Sequence, residues 1–250
     1  MHRRSAEVSD SCTTHVGTVT HLSPAEPVMV LSPHLDDALF SCGKFLADHP
    51  GAIVVTVFAG APDVMHEGYN SRSTGQSYAP DALEVRRQED RRVMSQLGAT
   101  PIWLDLIEAD YSAYRPTTNY GEQVVAEVSR VISEIGPASV IAPLGLVHPD
   151  HIAVSDACHI MWRKSSVNWY VYLDLPYGKA HPRTTKKRLK TLGRGAQLVA
   201  LDGYRGDSEL KVRLANQYES QFEATRENYH KVFDAAMTSD ESYWRVDVAP

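Results

Sequence analysis

Two short clusters concentrate the residue types that bind metals and move protons: His34, Asp36 and Asp37 in SPHLDDALFSCG, and His148, Asp150 and His151 in PLGLVHPDHIAV. Imidazole nitrogens and carboxylate oxygens around one crevice are the ligand set of a mononuclear zinc site with a position left open for water. His34 and Asp37 stand at i, i+3 across a helix start and can point the same way, and His151 can complete the set from the second cluster. Zinc brings the pKa of its water to about 7, which leaves Asp36 as the neighbouring general base. His148, outside the ligand set, can polarise the carbonyl or protonate the developing tetrahedral centre. The chemistry on offer is hydrolysis. An Asp-Asp pair at a helix start, taken alone, reads as an N-cap in a favourable helix dipole. A lone H-x-x-H reads as structural or exposed. The conjunction of the two clusters carries the functional reading.

That conjunction depends on the elements that position them. PVMVLS (27–32) is a short apolar run ending in the first cluster, and the following segment spaces Leu39, Cys42, Leu46 and Ala47 as a helix does. A β-branched strand over 53–60, an amphipathic helix over 81–98, a strand over 101–106, a helix over 121–136 and a strand over 138–145 continue the alternation. A helix follows the second cluster. Later candidates are strands in WYVYLDLP and AQLVALDG and a helix over about 209–223. Strands alternating with helices imply right-handed crossovers and a mostly parallel sheet covered on both faces, a Rossmann-like three-layer α/β sandwich. In the order 3-2-1-4-5, strands 1 and 4 meet at the topological switch point, so the two clusters should face one crevice. The Gly-, Ser- and Pro-rich stretch 59–80 is long for a compact domain and is expected to be a functional loop, with His66 in it as a substrate contact.

Composition narrows the alternatives. The 250 residues are 43% hydrophobic and 22% charged, an ordinary globular balance. A net charge of −6 gives no footprint for nucleic acid or anionic lipid. The three cysteines, Cys12, Cys42 and Cys158, lack C-x-x-C spacing, which fits a reducing, cytoplasmic setting without disulfides. Residues 1–26 read as a flexible tail without the apolar core of a signal peptide, and 27–250 as a single domain. No apolar run approaches the roughly 20 residues of a membrane span. The KKRLK run (186–190) reads as a solvated helix face, and Trp162, Trp169, Tyr170 and Tyr172 as core packing around the fifth strand. No dinucleotide fingerprint, nucleophile elbow, H-E-x-x-H helix or Walker loop is present.

PHLDD with Gly43 behind it and HPDH downstream resembles the PIG-L/LmbE-like family of zinc-dependent N-deacetylases. Further echoes are Arg86, Glu89, Leu97 and Gly98 in an R-x-x-E…L-G pattern, and Lys211, Ala215, Tyr218, Ser220 and Gln221 in a K-x-x-x-A-x-x-Y-x-S-Q pattern. The resemblance spans roughly residues 28–221 and implies removal of an N-acetyl group from an amino sugar or glycoconjugate. It implies that His34, Asp37 and His151 hold the metal, that Asp36 is the base and that His148 assists at the tetrahedral intermediate. Many members carry an acidic residue where Ala38 stands. The variant SPHLDDA…SCG resembles members tied to antibiotic and secondary-metabolite pathways. Arg86 is a candidate substrate contact beside His66. Two other readings use the same residues: a ferrous-iron enzyme with two histidines and one carboxylate, for which Fe2+ replaces Zn2+, and a non-catalytic sugar-binding protein. The partner expected in each sugar-directed case is a small N-acetylated sugar or glycoconjugate. The oligomeric state is left open.

Overall fold

The computed structural model describes residues 21–61, 82–109, 120–162, 164 and 166–248. The chain alternates as β1 (Val28–Ser32), α1 (Asp37–Asp48), β2 (Ile53–Thr56), α2 (Ala82–Leu97), β3 (Thr100–Trp103), α3 (Tyr120–Ile135), β4 (Ser139–Pro143), α4 (Pro149–Met161) and β5 (Asn168–Tyr172). It continues with α5 (Tyr177–Ala180), α6 (Pro182–Leu192), β6 (Gln197–Ala200), α7 (Ser208–Ala215), α8 (Glu219–Asn228), α9 (Phe233–Thr238) and β7 (Tyr243–Asp247). The described strands form one seven-stranded sheet in the order β3-β2-β1-β4-β5-β7-β6. β1 to β5 run parallel, while β7 is antiparallel to both β5 and β6. The expected α/β class and the 3-2-1-4-5 order are both present.

Burial explains the arrangement. Every residue of β1 and of β4 is buried, as continuous apolar runs covered on both faces require. α3 shows the opposite pattern, with Val124, Val128, Val131 and Ile132 forming one buried stripe and charges elsewhere. Met29 pairs with Val140 and Val30 with Ile141, so the loops after β1 and β4 leave the same edge of the sheet side by side. Trp162, Trp169, Tyr170 and Tyr172 are buried around β5, and Lys186, Lys187 and Lys190 of α6 are exposed, both as expected. Cys42 and Cys158 are buried free thiols. Among the described residues no helix is long and apolar enough to cross a membrane.

The structure corrects three expectations. The helix expected over 209–223 is two helices, α7 and α8, separated at Asn216–Tyr218 by tight turns in which the Gln217 and Tyr218 N–H groups bond Leu214 and Ala215 carbonyls. The break drops Tyr218 into the core, where its hydroxyl donates to Asp90 Oδ1 at 2.8 Å. β2 ends at Thr56, and the chain beyond it makes only isolated bridges, Phe58 to Asp105 and Gly60 to Ile107. β7 was not anticipated at all.

Two buried polar assemblies brace the elements around α1. From α2, Glu89 accepts the Ser220 N–H at 3.0 Å and its hydroxyl at 2.5 Å, an external carboxylate cap on the first turn of α8. Asp90, one residue on, also accepts from Trp103 Nε1 at 2.7 Å. On the far side of α1, the Lys211 ammonium meets Glu241 Oε1 at 2.8 Å with both side chains fully buried. That carboxylate further accepts the backbone N–H groups of Lys44 and Phe45 and the Tyr243 hydroxyl. Within the R-x-x-E and K-x-x-x-A-x-x-Y-x-S-Q patterns, Glu89, Lys211, Tyr218 and Ser220 therefore brace the fold.

Candidate metal centre and crevice

The loop after β1 holds its first histidine and both aspartates in a fixed frame. Ser32 Oγ donates to the His34 carbonyl at 2.6 Å and accepts the Ala38 N–H at 2.9 Å, doing for α1 what a capping side chain does. Asp36 occupies the N-cap position yet makes no side-chain capping hydrogen bond. The residue is 8% exposed and lines the crevice. Asp37 Oδ2 accepts the His34 backbone N–H at 2.9 Å and lies 3.1 Å from His34 Nδ1.

The loop after β4 brings the other half. Gly145 (φ +84°) could not carry a side chain, since a Cβ there would lie 2.5 Å from Ser155 Cβ; its absence lets α4 pack close against the strand end. Val147 follows with φ 61°, and the His148 N–H bonds back to the Leu146 carbonyl at 2.6 Å, closing a γ-turn. A β-branched residue in this region stores on the order of 1–3 kcal/mol of strain. His148 is the N-cap of α4, its Nδ1 accepting the Asp150 N–H at 3.2 Å.

The two loops meet at the switch point. Ligand-capable atoms of His34, His148 and His151 all lie within 4.8 Å of one another. His151 Nε2 lies 3.0 Å from Asp37 Oδ2, buried and without a hydrogen bond of acceptable direction. Two carboxylates that sequence reasoning left without a role fix the outer nitrogens. Asp150 Oδ2 contacts His34 Nε2 at 3.0 Å, and Asp174 Oδ1 contacts His151 Nδ1 at 2.6 Å. Donation of those outer protons leaves His34 Nδ1 and His151 Nε2 with lone pairs beside the Asp37 oxygen, the arrangement by which carboxylates orient metal-binding imidazoles. This donor set fits a divalent transition metal.

Without a metal the charges favour a second proton on both the His34 and His151 rings, and it is these protons that ligation would displace. Burial lowers His151, but the Asp37 charge and the Asp174 hydrogen bond outweigh it and hold the ring at about 9. His34 is likewise held well above its ordinary value, its burial outweighed by Asp150 and Asp37. Burial raises Asp37, but the His151 and His34 rings pull it well below the carboxylate range. Asp36 is pushed up to about 6, first by burial and then by the Asp37 charge, against the pull of Arg86. His148 falls to about 4 through burial and the neighbouring His34 and His151 charges. Nδ1 is already an acceptor, so the neutral His148 ring carries its proton on Nε2.

Above this floor lies a cavity of about 680 Å3, a size that takes a drug-sized ligand. His34, Asp36, Asp37, Arg86 and His148 line it, and His151 lies fully buried beneath. Arg86 is itself buried and paired with Glu108 at 2.6 Å. The predicted residues therefore converge, except His66, which with residues 62–80 of the long loop lies outside the described residues. Sequence reasoning missed Glu108, Asp174, Tyr177 and Tyr229. The two tyrosines stack edge to face, ring centres 5.3 Å apart, on the outer wall made by α5 and the α8–α9 connection. A lone Asp after the fifth strand, in YLDLP, was the available signal for Asp174.

The sequence profile described as PIG-L, GlcNAc-PI de-N-acetylase, matches residues 29–161. No curated protein sequence matches the chain. Among solved structures, the A40926 pseudoaglycone deacetylase Dbv21 is similar, with 26% identity, a TM-score of 0.69 and coverage of 89% of this chain and 98% of that one. The zinc-inhibited form of teicoplanin deacetylase Orf2 gives 24% identity and a TM-score of 0.69 at the same coverage. N,N'-diacetylchitobiose deacetylase from Pyrococcus horikoshii gives 18% identity and a TM-score of 0.53, over 88% of this chain and 82% of that one.

Proposed function

We propose that this chain, which belongs to the PIG-L (GlcNAc-PI de-N-acetylase) family, uses the β1/β4 crevice to remove the N-acetyl group from an amino sugar of a glycoconjugate. The observation that carries the reading is Asp36, a carboxylate at a helix N-cap that makes no capping bond and is spared for the cavity beside a metal-binding donor set. A binding-only protein has no use for such a group. The similarity to the A40926 pseudoaglycone deacetylase supports a glycoconjugate substrate.

His34 Nδ1, Asp37 Oδ2 and His151 Nε2 would hold the metal, with zinc the first candidate, because Asp150 and Asp174 already fix the two rings for ligation. Bound there, such a metal supplies Lewis acidity and a water acidified towards neutral pH. Asp36 takes the proton from the attacking water. Burial beside Asp37 raises its proton affinity above that of an ordinary carboxylate, which suits a base that must take that proton and return it. His148 presents Nε2–H to the carbonyl oxygen as negative charge develops, its Nδ1 being held by the Asp150 N–H at the start of α4. Collapse of the tetrahedral centre breaks the C–N bond, and the proton on Asp36 passes to the departing amine, giving acetate and the free amino group. Arg86, paired with Glu108, fixes the charge beside Asp36 and offers the pair to sugar hydroxyls.

The test is acetate release from a panel of N-acetylated amino sugars and glycoconjugates by protein loaded with zinc or ferrous iron, against a chelated control. Metal-dependent release is expected. Stoichiometric metal binding with no release from any member would overturn the hydrolase reading in favour of a binding protein. Turnover with iron that requires oxygen would point to the ferrous alternative, and the zinc-inhibited Orf2 structure makes the metal comparison necessary.

A further inference from the structure

The sheet order gives the floor of the cavity two chemically different sides, under an outer wall that carries His181, Gln221, Asn228 and Lys231. On the β2/β3 side stand Arg86, from the helix after β2, and Glu108, from the segment after β3, both charged. On the β4/β5 side stand Val147, after β4, and Leu175, Pro176 and Tyr177, after β5. Asp36 and His148 lie between the two sides, so an amide carbon attacked there sends one substituent each way. Hydroxyl groups match the charged side, and an acyl chain matches the other.

Val147 is the anomaly on that apolar side. Its backbone sits at φ 61°, where glycine is at ease and a β-branched residue is strained. Core packing does not offset that strain, because Val147 is 43% exposed. It is one of few large apolar residues so exposed among those described, and it lines the cavity immediately before His148. The valine side chain does nothing for the turn that glycine would not do better, so its contribution lies in what it touches in the cavity.

Resting on the deacetylase reading, we infer that Val147 is a specificity-determining residue. Its side chain contacts the acyl group on the β4/β5 side of the crevice and restricts that group to short chains. Shortening it opens room for additional methylenes, each worth roughly tenfold or more in selectivity within an apolar pocket.

The experiment compares wild type, Val147→Ala and Val147→Gly on one amino sugar carrying acetyl, butanoyl and hexanoyl groups. The ratio of kcat/KM for butanoyl over acetyl is expected to rise about tenfold or more in Val147→Gly and less in Val147→Ala. A parallel measurement reads binding alone: calorimetric Kd values for the same conjugates in an Asp36→Asn background, with and without Val147→Gly. Tighter butanoyl binding on removal of the valine side chain is expected. An unchanged acyl ratio in both variants overturns the inference, and so does a change that follows the amine instead of the acyl group. If wild type hydrolyses none of the conjugates, the deacetylase reading fails, while the Kd comparison still decides whether Val147 meets the acyl chain.

Discussion

The crevice between β1 and β4 and the Glu241 assembly on the other side of α1 are both buried and charged, yet they are built on opposite rules. Glu241 receives a lysine ammonium, two backbone N–H groups and a tyrosine hydroxyl, so every favourable acceptor position is in use. In the crevice, Asp36 lacks the capping bond its position invites, and His151 Nε2 lies against Asp37 without hydrogen-bonding it. Shifts of pKa run in opposite directions among immediate neighbours there, with Asp36 up to about 6 and Asp37 well down. A buried network that closes on itself holds a fold together. One that leaves lone pairs and a proton acceptor unspent is set up to receive something.

Substitutions can break or sharpen that contrast. The largest effect is expected from Asp36→Asn, which should cut kcat by roughly 10²–10⁴-fold while metal content, read by elemental analysis, stays stoichiometric. Near wild-type turnover would remove Asp36 from the chemistry. Glu241→Ala should do the reverse. Leaving Lys211 buried and unpaired is expected to cost about 3–5 kcal/mol in chemical denaturation, with metal stoichiometry retained wherever the variant is folded. Asp174→Asn sits between the two classes, since it orients His151, and a drop in metal affinity of roughly 10–100-fold is expected in competition with a chelator. A Kd equal to wild type would mean that His151 needs no such support.

The smallest effect concerns Asp90, satisfied by Trp103 and Tyr218 yet pushed up to about 6 by burial, against the pull of those two donors. A folded-state pKa above the ordinary 3.8 means that its contribution to stability is fully present below about pH 4 and is lost as pH rises through about 6. Asp90→Asn removes that loss. The stability of the variant relative to wild type should therefore improve between pH 4 and pH 7, read as the difference in Tm. A constant difference across that range would place the Asp90 carboxyl at its ordinary value.

Much of the crevice was legible because its positioning elements are locally encoded. VMVLS and SVIAP are largely apolar runs, and each is followed within five residues by its cluster, so strand order alone was enough to bring His34 and His151 together. Asp174 was not legible. It comes from a third strand, and one aspartate has no spacing to give it away. The break between α7 and α8 was hidden for a related reason: apolar spacing runs through Leu214, Ala215 and Tyr218, and only the partner on α2 decides that Tyr218 leaves the helix. β7 escaped because YWRVD pairs antiparallel with segments distant in sequence, and such pairing is written in no local pattern. Val147 needed coordinates, since nothing in GLVHPDH announces a positive φ.

The placement of β7 has a consequence for how the chain matures. β6 bonds only to β7, and β7 lies between β6 and β5, so these outer positions of the sheet cannot fill in the order in which the ribosome delivers them. Until Tyr243–Asp247 emerges, β5 presents a bare edge and β6 has nowhere to dock, an exposure that invites pairing between nascent chains. Glu241 arrives in the same late segment, so α1, which begins with Asp37, gains its brace only as the edge is sealed. Assembly of the reaction centre is thereby timed to the completion of the sheet.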